Sequence, residues 1–223
     1  MDKLLTYFHV TNIAELCAFA AAVLLLNKRT GIWRVFIPLV LLTICTEVSG
    51  WYLNTFLRMH NNALPFNILM LVNISFFILF FTTAGVFRHY RTWMHAGAVG
   101  FLATGAANLL WWQGLWTYNY YSEAAGDLVL AFICCTFFLR SLREDTYHDF
   151  FRDPYFWLAN GLLFASMGNA LLYLFLEELG AWYQATKIDV YGPVNSLLNV
   201  IFYVSLIIAF ICRWKTTRLL PEW

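Results

Sequence analysis

The sequence predicts an all-α, polytopic integral membrane protein with seven transmembrane helices. Three observations predict it. Of 223 residues, 61% are hydrophobic and only 12% are charged, whereas a soluble domain carries about 45–50% apolar and about 25% charged residues. The apolar residues are gathered into runs near the ~20 residues that cross a ~30 Å hydrocarbon core. The runs are continuous rather than alternating, which argues against a membrane β-barrel. The same composition excludes a soluble globular fold and a disordered chain. A net charge of +1 with no basic patch argues against nucleic acid as a partner.

The spans follow in order. Span one, Leu4–Leu26, lacks a strongly basic start and a clear small-x-small cleavage site, so it reads as a retained helix rather than a signal peptide. Asn27-Lys28-Arg29-Thr30-Gly31 separates it from span two, Ile32–Leu57. Arg58-Met59-His60-Asn61-Asn62 leads to span three, Phe66–Phe87, and Arg88-His89-Tyr90-Arg91 to span four, Trp93–Trp112. Spans five and six, Ser122–Leu142 and Tyr155–Leu179, flank the polar run at Arg143-Glu144-Asp145. Span seven is Gly192–Cys212. The connections are too short for a soluble domain, so 1–223 forms a single transmembrane unit.

Basic residues orient the bundle, because cytoplasmic loops accumulate Lys and Arg. With the amino end outside, eleven of the 14 fall on the inner side: Lys28, Arg29, Arg34, Arg88, Arg91, Arg140, Arg143, Arg152, Arg213, Lys215 and Arg218. Only Lys3, Arg58 and Lys187 fall outside, so the expected topology is N-out, C-in. Trp111, Trp112, Trp116, Tyr118, Tyr120 and Tyr121, with Trp182, Tyr183 and Tyr191, form an outer aromatic girdle. Cys17, Cys45, Cys134, Cys135 and Cys212 lie within spans or at their inner ends, with no Cys-x-x-Cys pair, and read as small apolar filler.

An internal repeat is visible. Span three opens Pro65-Phe66-Asn67-Ile68-Leu69-Met70-Leu71-Val72, and span seven opens Pro193-Val194-Asn195-Ser196-Leu197-Leu198-Asn199-Val200. Ala14-Glu15-Leu16 in span one parallels Gly126-Asp127-Leu128 in span five. Spans two and six match less closely, Glu47 before Tyr52-Leu53 as Asn169 before Tyr173-Leu174. The expected layout is 3+1+3, with parallel repeats 1–92 and 122–223 joined by linker helix 93–112. The linker is rich in Gly and Ala, which favours close helix packing within the bundle, or alternatively a homodimer face.

Charges inside a bilayer cost at least ~2.5–3.5 kcal/mol each at its centre on insertion scales, and so are functional by default. Glu15 lies in span one, Glu47 in the outer half of span two, and Glu123 and Asp127 near the outer end of span five, with no lysine or arginine at matching depth. Such carboxyls are held as neutral acids or paired with a cation. Asn67, Asn73, Asn108, Asn169, Asn195 and Asn199 share that leaflet, while the inner halves are mostly Leu, Ile, Phe, Val and Ala. His9, Asn12 and Glu15 form one helical stripe; Ser166, Asn169 and Tyr173 form another; Asn195, Asn199 and Tyr203 a third. Interhelical hydrogen bonding accounts for any one asparagine. The concentration in one leaflet points to a polar, aromatic-rimmed cavity that opens outward. Its expected ligand-binding residues are Glu15, Glu47, Asn67, Asn73, Asn108, Asp127, Asn169, Asn195 and Asn199, with Trp51 and Trp111 stacking on the ligand.

Several chemistries are set aside. Span seven carries no lysine for a retinal Schiff base. His60, His89, His95 and His148 sit near the ends of different spans on both sides, which suits neither a zinc hydrolase nor a haem. No phosphate-binding glycine loop or nucleophile elbow occurs. No catalytic activity, metal or cofactor is expected. The mixed-charge Arg140–Asp153 segment reads as a solvated face, or alternatively as a dock for a cytoplasmic signalling partner.

The 3+1+3 layout resembles the SWEET sugar transporters, which pair asparagines from the third and seventh spans. Asn67 with Asn195, or Asn73 with Asn199, stand in comparable places. The resemblance is architectural: that family's span prolines and Pro-Gln motif are missing, and only Pro38 lies within spans one, two, five and six. The chain also resembles small bacterial seven-helix membrane proteins, which implies a bacterial inner (plasma) membrane. A transporter for a small polar solute or cation is the expectation. The alternatives are a receptor or sensor signalling to a cytoplasmic partner, and a non-catalytic subunit of a membrane complex.

Overall fold

The computed structural model describes residues 10–26, 28–56, 62–84, 87–143 and 150–219, and every element among them is helical. His9, Arg58, His60 and His148, and positions 144–149 of the mixed-charge segment, lie outside the described residues.

Helix α1 spans Val10–Leu25. A 3-10 turn, Lys28–Val35, follows, and Gly31 within it adopts φ 63°, ψ −128°. A side chain would be strained in that conformation, which lets the chain reverse at once into α2, Phe36–Thr55. Then come α3, Ala63–Thr83, and α4, Arg91–Ala107, which runs on into a π-turn at Asn108–Trp112. Helix α5 is Tyr120–Arg143. Helix α6 is Pro154–Leu174, where Asp153 caps the start by accepting from the Tyr155 N–H at 2.9 Å and Pro154 occupies the first turn at no hydrogen-bond cost. A short α7, Leu176–Thr186, precedes the long α8, Tyr191–Leu219.

Among the described residues, five helical segments are long and apolar enough to cross a membrane: Thr30–Thr55, Ala63–Thr83, Tyr120–Arg143, Pro154–Leu174 and Tyr191–Arg218. Helix α1 is a shorter apolar helix of 16 residues. Helix α4 has 17 residues of α-helix before its π-turn. The expected sixth span differs at its end. Instead of running to Leu179, the helix breaks at Phe175 (φ −104°, ψ 20°). Glu177 and Glu178 follow immediately and favour the first turn of a new helix, where carboxylates meet the positive end of the backbone dipole. Helix α7 buries none of its residues and ends at Lys187, which takes the left-handed conformation. Its exposed Trp182 and Tyr183 suit a membrane–water interface.

Helix packing forms a closed ring. Helix α1 packs on α2, α2 on α3, α3 on α5, α5 on α6, α6 on α8, and α8 back on α1. Helix α4 stands outside, packed on α3, and turns Trp93, Val99, Trp111 and Trp112 outward. Small residues permit the closest approaches. A Cβ at Gly161 of α6 would collide with Ser205 and approach the Phe202 carbonyl of α8, and one at Gly105 of α4 would collide with Leu71 of α3. We expect Gly161→Val to destabilise the bundle by about 1–3 kcal/mol, the usual cost of overpacking, as a lower unfolding temperature in detergent. An unchanged temperature would mean that the α6–α8 contact is looser than described.

An aromatic cluster of the core sits at one end of the ring. Trp33, Phe36, Phe81 and Phe210 have no exposed surface, and Phe80 retains 2%. Phe36 is the hub, with ring centroids 4.9 Å from Phe80, 5.2 Å from Phe76, and 5.5 Å from both Trp33 and Phe210. At this end Arg213 of α8 donates to the Thr30 carbonyl at 3.3 Å.

Candidate ligand cavity

The other end of the ring is hollow. A cavity of about 580 Å³ lies along the ring axis, within the size range of small-molecule sites. All six ring helices line it, and α4 does not. The lining comes from the start of α1 (Thr11, Glu15), the body of α2 (Phe36, Thr43, Glu47), the first two-thirds of α3 (Phe66, Asn73, Phe77), the start of α5 (Glu123, Asp127), the latter half of α6 (Ser166, Asn169, Tyr173) and the first half of α8 (Tyr191, Asn195, Asn199, Tyr203). The starts of α1, α3, α5 and α8 thus meet the latter half of α6 at this end, so those four helices run one way and α6 the other. Tyr118 and Tyr191 mark the loop end of the cavity, and Phe36, Phe77 and Leu206 its floor on the aromatic core.

The charged lining is of one sign. Glu15, Glu47, Glu123 and Asp127 face the space, with no lysine, arginine or histidine among the lining residues. Glu15 keeps 2% of its surface and Asp127 8%. The Tyr203 hydroxyl reaches the Glu15 carboxyl, with Glu47 nearby. Ser166 reaches Asp127, with Glu123 nearby. Even so, Glu15 Oε1 and Asp127 Oδ2 are buried without a hydrogen-bond partner among the described residues, as are Asn73 Oδ1 and Asn169 Oδ1. All four are acceptors, and all four belong to lining residues. Unpaired buried polar atoms are rare and costly, about 1–3 kcal/mol each. Here all four lie in residues of the cavity wall. No group of three or more His, Cys, Asp or Glu among the described residues is disposed to hold a metal ion.

At the loop end, Tyr118 donates to Glu123 Oε2 at 2.6 Å, and its hydroxyl lies 3.3 Å from that of Tyr173. Tyr118 lies between α4 and α5, and burial, then the adjacent Glu123 carboxyl, pushes its phenol well above its ordinary value. It is therefore a neutral donor at any physiological pH.

Of the residues expected from the sequence, Glu15, Glu47, Asn73, Asp127, Asn169, Asn195 and Asn199 line the cavity. Asn195 and Asn199 are joined there by a 3.0 Å hydrogen bond. Asn67, Asn108, Trp51 and Trp111 lie elsewhere. Asn67 donates to the Thr117 carbonyl at 2.9 Å and accepts from the Asn119 N–H at 2.9 Å. Asn108 donates to Asn119 Oδ1 at 2.6 Å and to Ser122 Oγ at 3.0 Å. The two asparagines hold the α4–α5 connection, and with it Tyr118, against the bundle. Trp51 packs edge-on to Phe56, with centroids 5.4 Å apart. Trp111 is 78% exposed, on the outside of the ring. Tyr118 and Tyr191 were legible only as girdle residues, because a tyrosine at a helix end fits the membrane interface equally well.

Truncating Asn67 to alanine leaves the Asn119 N–H unpaired. We expect a loss of about 1–3 kcal/mol, with faster hydrogen exchange confined to 113–119. Unchanged exchange there would contradict the clamp.

Comparison with protein-family models, with curated proteins and with solved structures finds no match to this chain.

Proposed function

We propose that this chain is a multi-pass membrane protein that admits a small polar solute or cation to an outward-facing cavity and carries it across the bilayer. The observation that carries the reading is the acidic cavity on the axis of the six-helix ring, walled by residues that carry unpartnered buried acceptors. Binding energy for a solute that brings donors is available there, and aromatic rings line the space around it. In this reading all seven crossings span the bilayer, with the amino end outside and Arg34, Arg91, Arg140, Arg143 and Arg152 at the inner face of a bacterial plasma membrane. The 3+1+3 repeat is part of the proposal. Its two triplets are the six ring helices, and the linker is α4, outside the ring. Repeat architectures place solute sites between their halves. Resemblance to the SWEET layout supports the same arrangement, with Asn73 and Asn199 both at the cavity.

A second reading, a receptor that signals to a cytoplasmic partner, is favoured by the closed aromatic floor around Phe36. One experiment separates the two. The five native cysteines, Cys17, Cys45, Cys134, Cys135 and Cys212, are replaced, and Ser166→Cys is introduced at the cavity wall. A membrane-impermeant thiol reagent should label it from outside on intact cells, and from the cytoplasmic side in inverted vesicles if the site alternates. Labelling from outside alone assigns the receptor reading. Labelling from neither side contradicts both.

A further inference from the structure

Deepening that reading, and resting on it, the structure points to a ligand class. The acidic groups fall at two places. Glu15 and Glu47 are on the adjacent helices α1 and α2, and Glu123 and Asp127 are on α5. In a ring of six, α5 stands three places from α1 by either route, so the two groups face each other across the axis. Each holds one carboxyl with a buried, unpartnered oxygen at the cavity, Glu15 and Asp127. These two are the residues that Ala14-Glu15-Leu16 and Gly126-Asp127-Leu128 place at equivalent points of the repeat. Repeat symmetry thus gives two like poles, separated by a lining that includes Leu39, Met70 and Leu130.

Like-charge repulsion at low dielectric limits each close carboxyl pair to about one negative charge. A single monocation therefore satisfies one pole and leaves the other. An ammonium group has three donors and no acceptor, which matches orphans that are all acceptors. We infer that the cavity binds a linear aliphatic dication, an α,ω-diamine, with one ammonium at the Glu15–Glu47 pole and the other at the Glu123–Asp127 pole. The methylene chain lies along the apolar wall between them.

The test is isothermal titration of the purified full-length protein in lipid nanodiscs, using 1,4-diaminobutane, 1,5-diaminopentane, n-butylamine and 1,4-butanediol as probes. One diamine should bind about 100-fold more tightly than n-butylamine, because the second ammonium engages intramolecularly. Asp127→Asn should erase that gap and leave n-butylamine binding in place, with the unfolding temperature of the unliganded variant as a check on its fold. Equal affinity for mono- and diamines overturns the inference, as does tighter binding of the diol. If Ser166→Cys is labelled yet no amine binds, the diamine assignment fails and the solute cavity stands. If labelling fails as well, both fall.

Discussion

Replacing Phe36 with alanine should lower the unfolding free energy by about 3–5 kcal/mol, the range for truncating a fully buried aromatic residue. Phe36 has no exposed surface and packs within 5.5 Å of four rings from three other segments: Trp33, Phe76, Phe80 and Phe210. It is also the floor of the cavity. The void it leaves joins the hollow end of the ring to the packed end. Thermal unfolding in detergent measures the loss, and a Phe36→Leu variant should recover much of it. A cost below about 1 kcal/mol, the level of a conservative core swap, would mean that the aromatic cluster does not close the bundle.

Removing the two buried carboxyls should have the opposite effect on stability and a severe one on binding. Glu15→Leu combined with Asp127→Leu should raise the unfolding temperature of the unliganded protein and abolish amine binding. Each native carboxyl buries an oxygen with no partner, and an unsatisfied buried group costs about 1–3 kcal/mol. Apolar replacements relieve that cost. The Tyr203 and Ser166 hydroxyls that reach the carboxyls still face the cavity. Groups kept for function at the expense of stability behave this way. A lowered unfolding temperature would instead mark Glu15 and Asp127 as interhelical fasteners, and would remove the main support for a ligand at this end of the ring.

The helical segments, and the gathering of several polar groups at one end of the ring, were legible from hydropathy and spacing, because a continuous apolar run folds as a helix. Which polar groups share the cavity was legible only in part. Spacing fixes the angle between residues on one helix, not the face turned to the axis. Asn195 and Asn199, four residues apart, differ by about 40° and both line the cavity. Asn67 and Asn73, six apart, are separated by about 120°, so they lie on different faces. Asn73 faces the cavity, and Asn67 faces the α4–α5 connection. Asn108 satisfies that same connection, a contact between a helix and an irregular segment that periodicity does not encode. Glu15, Glu47 and Asp127 were found because charge in lipid needs a reason. Glu123 was read only as a charge beside Asp127 at the outer end of span five; it lines the cavity and accepts from Tyr118 there. The end of α6 at Leu174 was obscured by the apolar Leu-Phe-Leu run across the break at Phe175.

A ligand-sized polar space lies in the ring that carries Glu15 and Asp127 in its wall. An experimental structure of the protein in nanodiscs, determined with and without 1,5-diaminopentane at a resolution that shows ordered water, tests it directly. The free protein should show a hydrated cavity. With the amine, elongated non-protein density should appear within hydrogen-bonding distance of both carboxyls. A collapsed, dry bundle in which Glu15 and Asp127 are fully bonded to neighbouring side chains would contradict it.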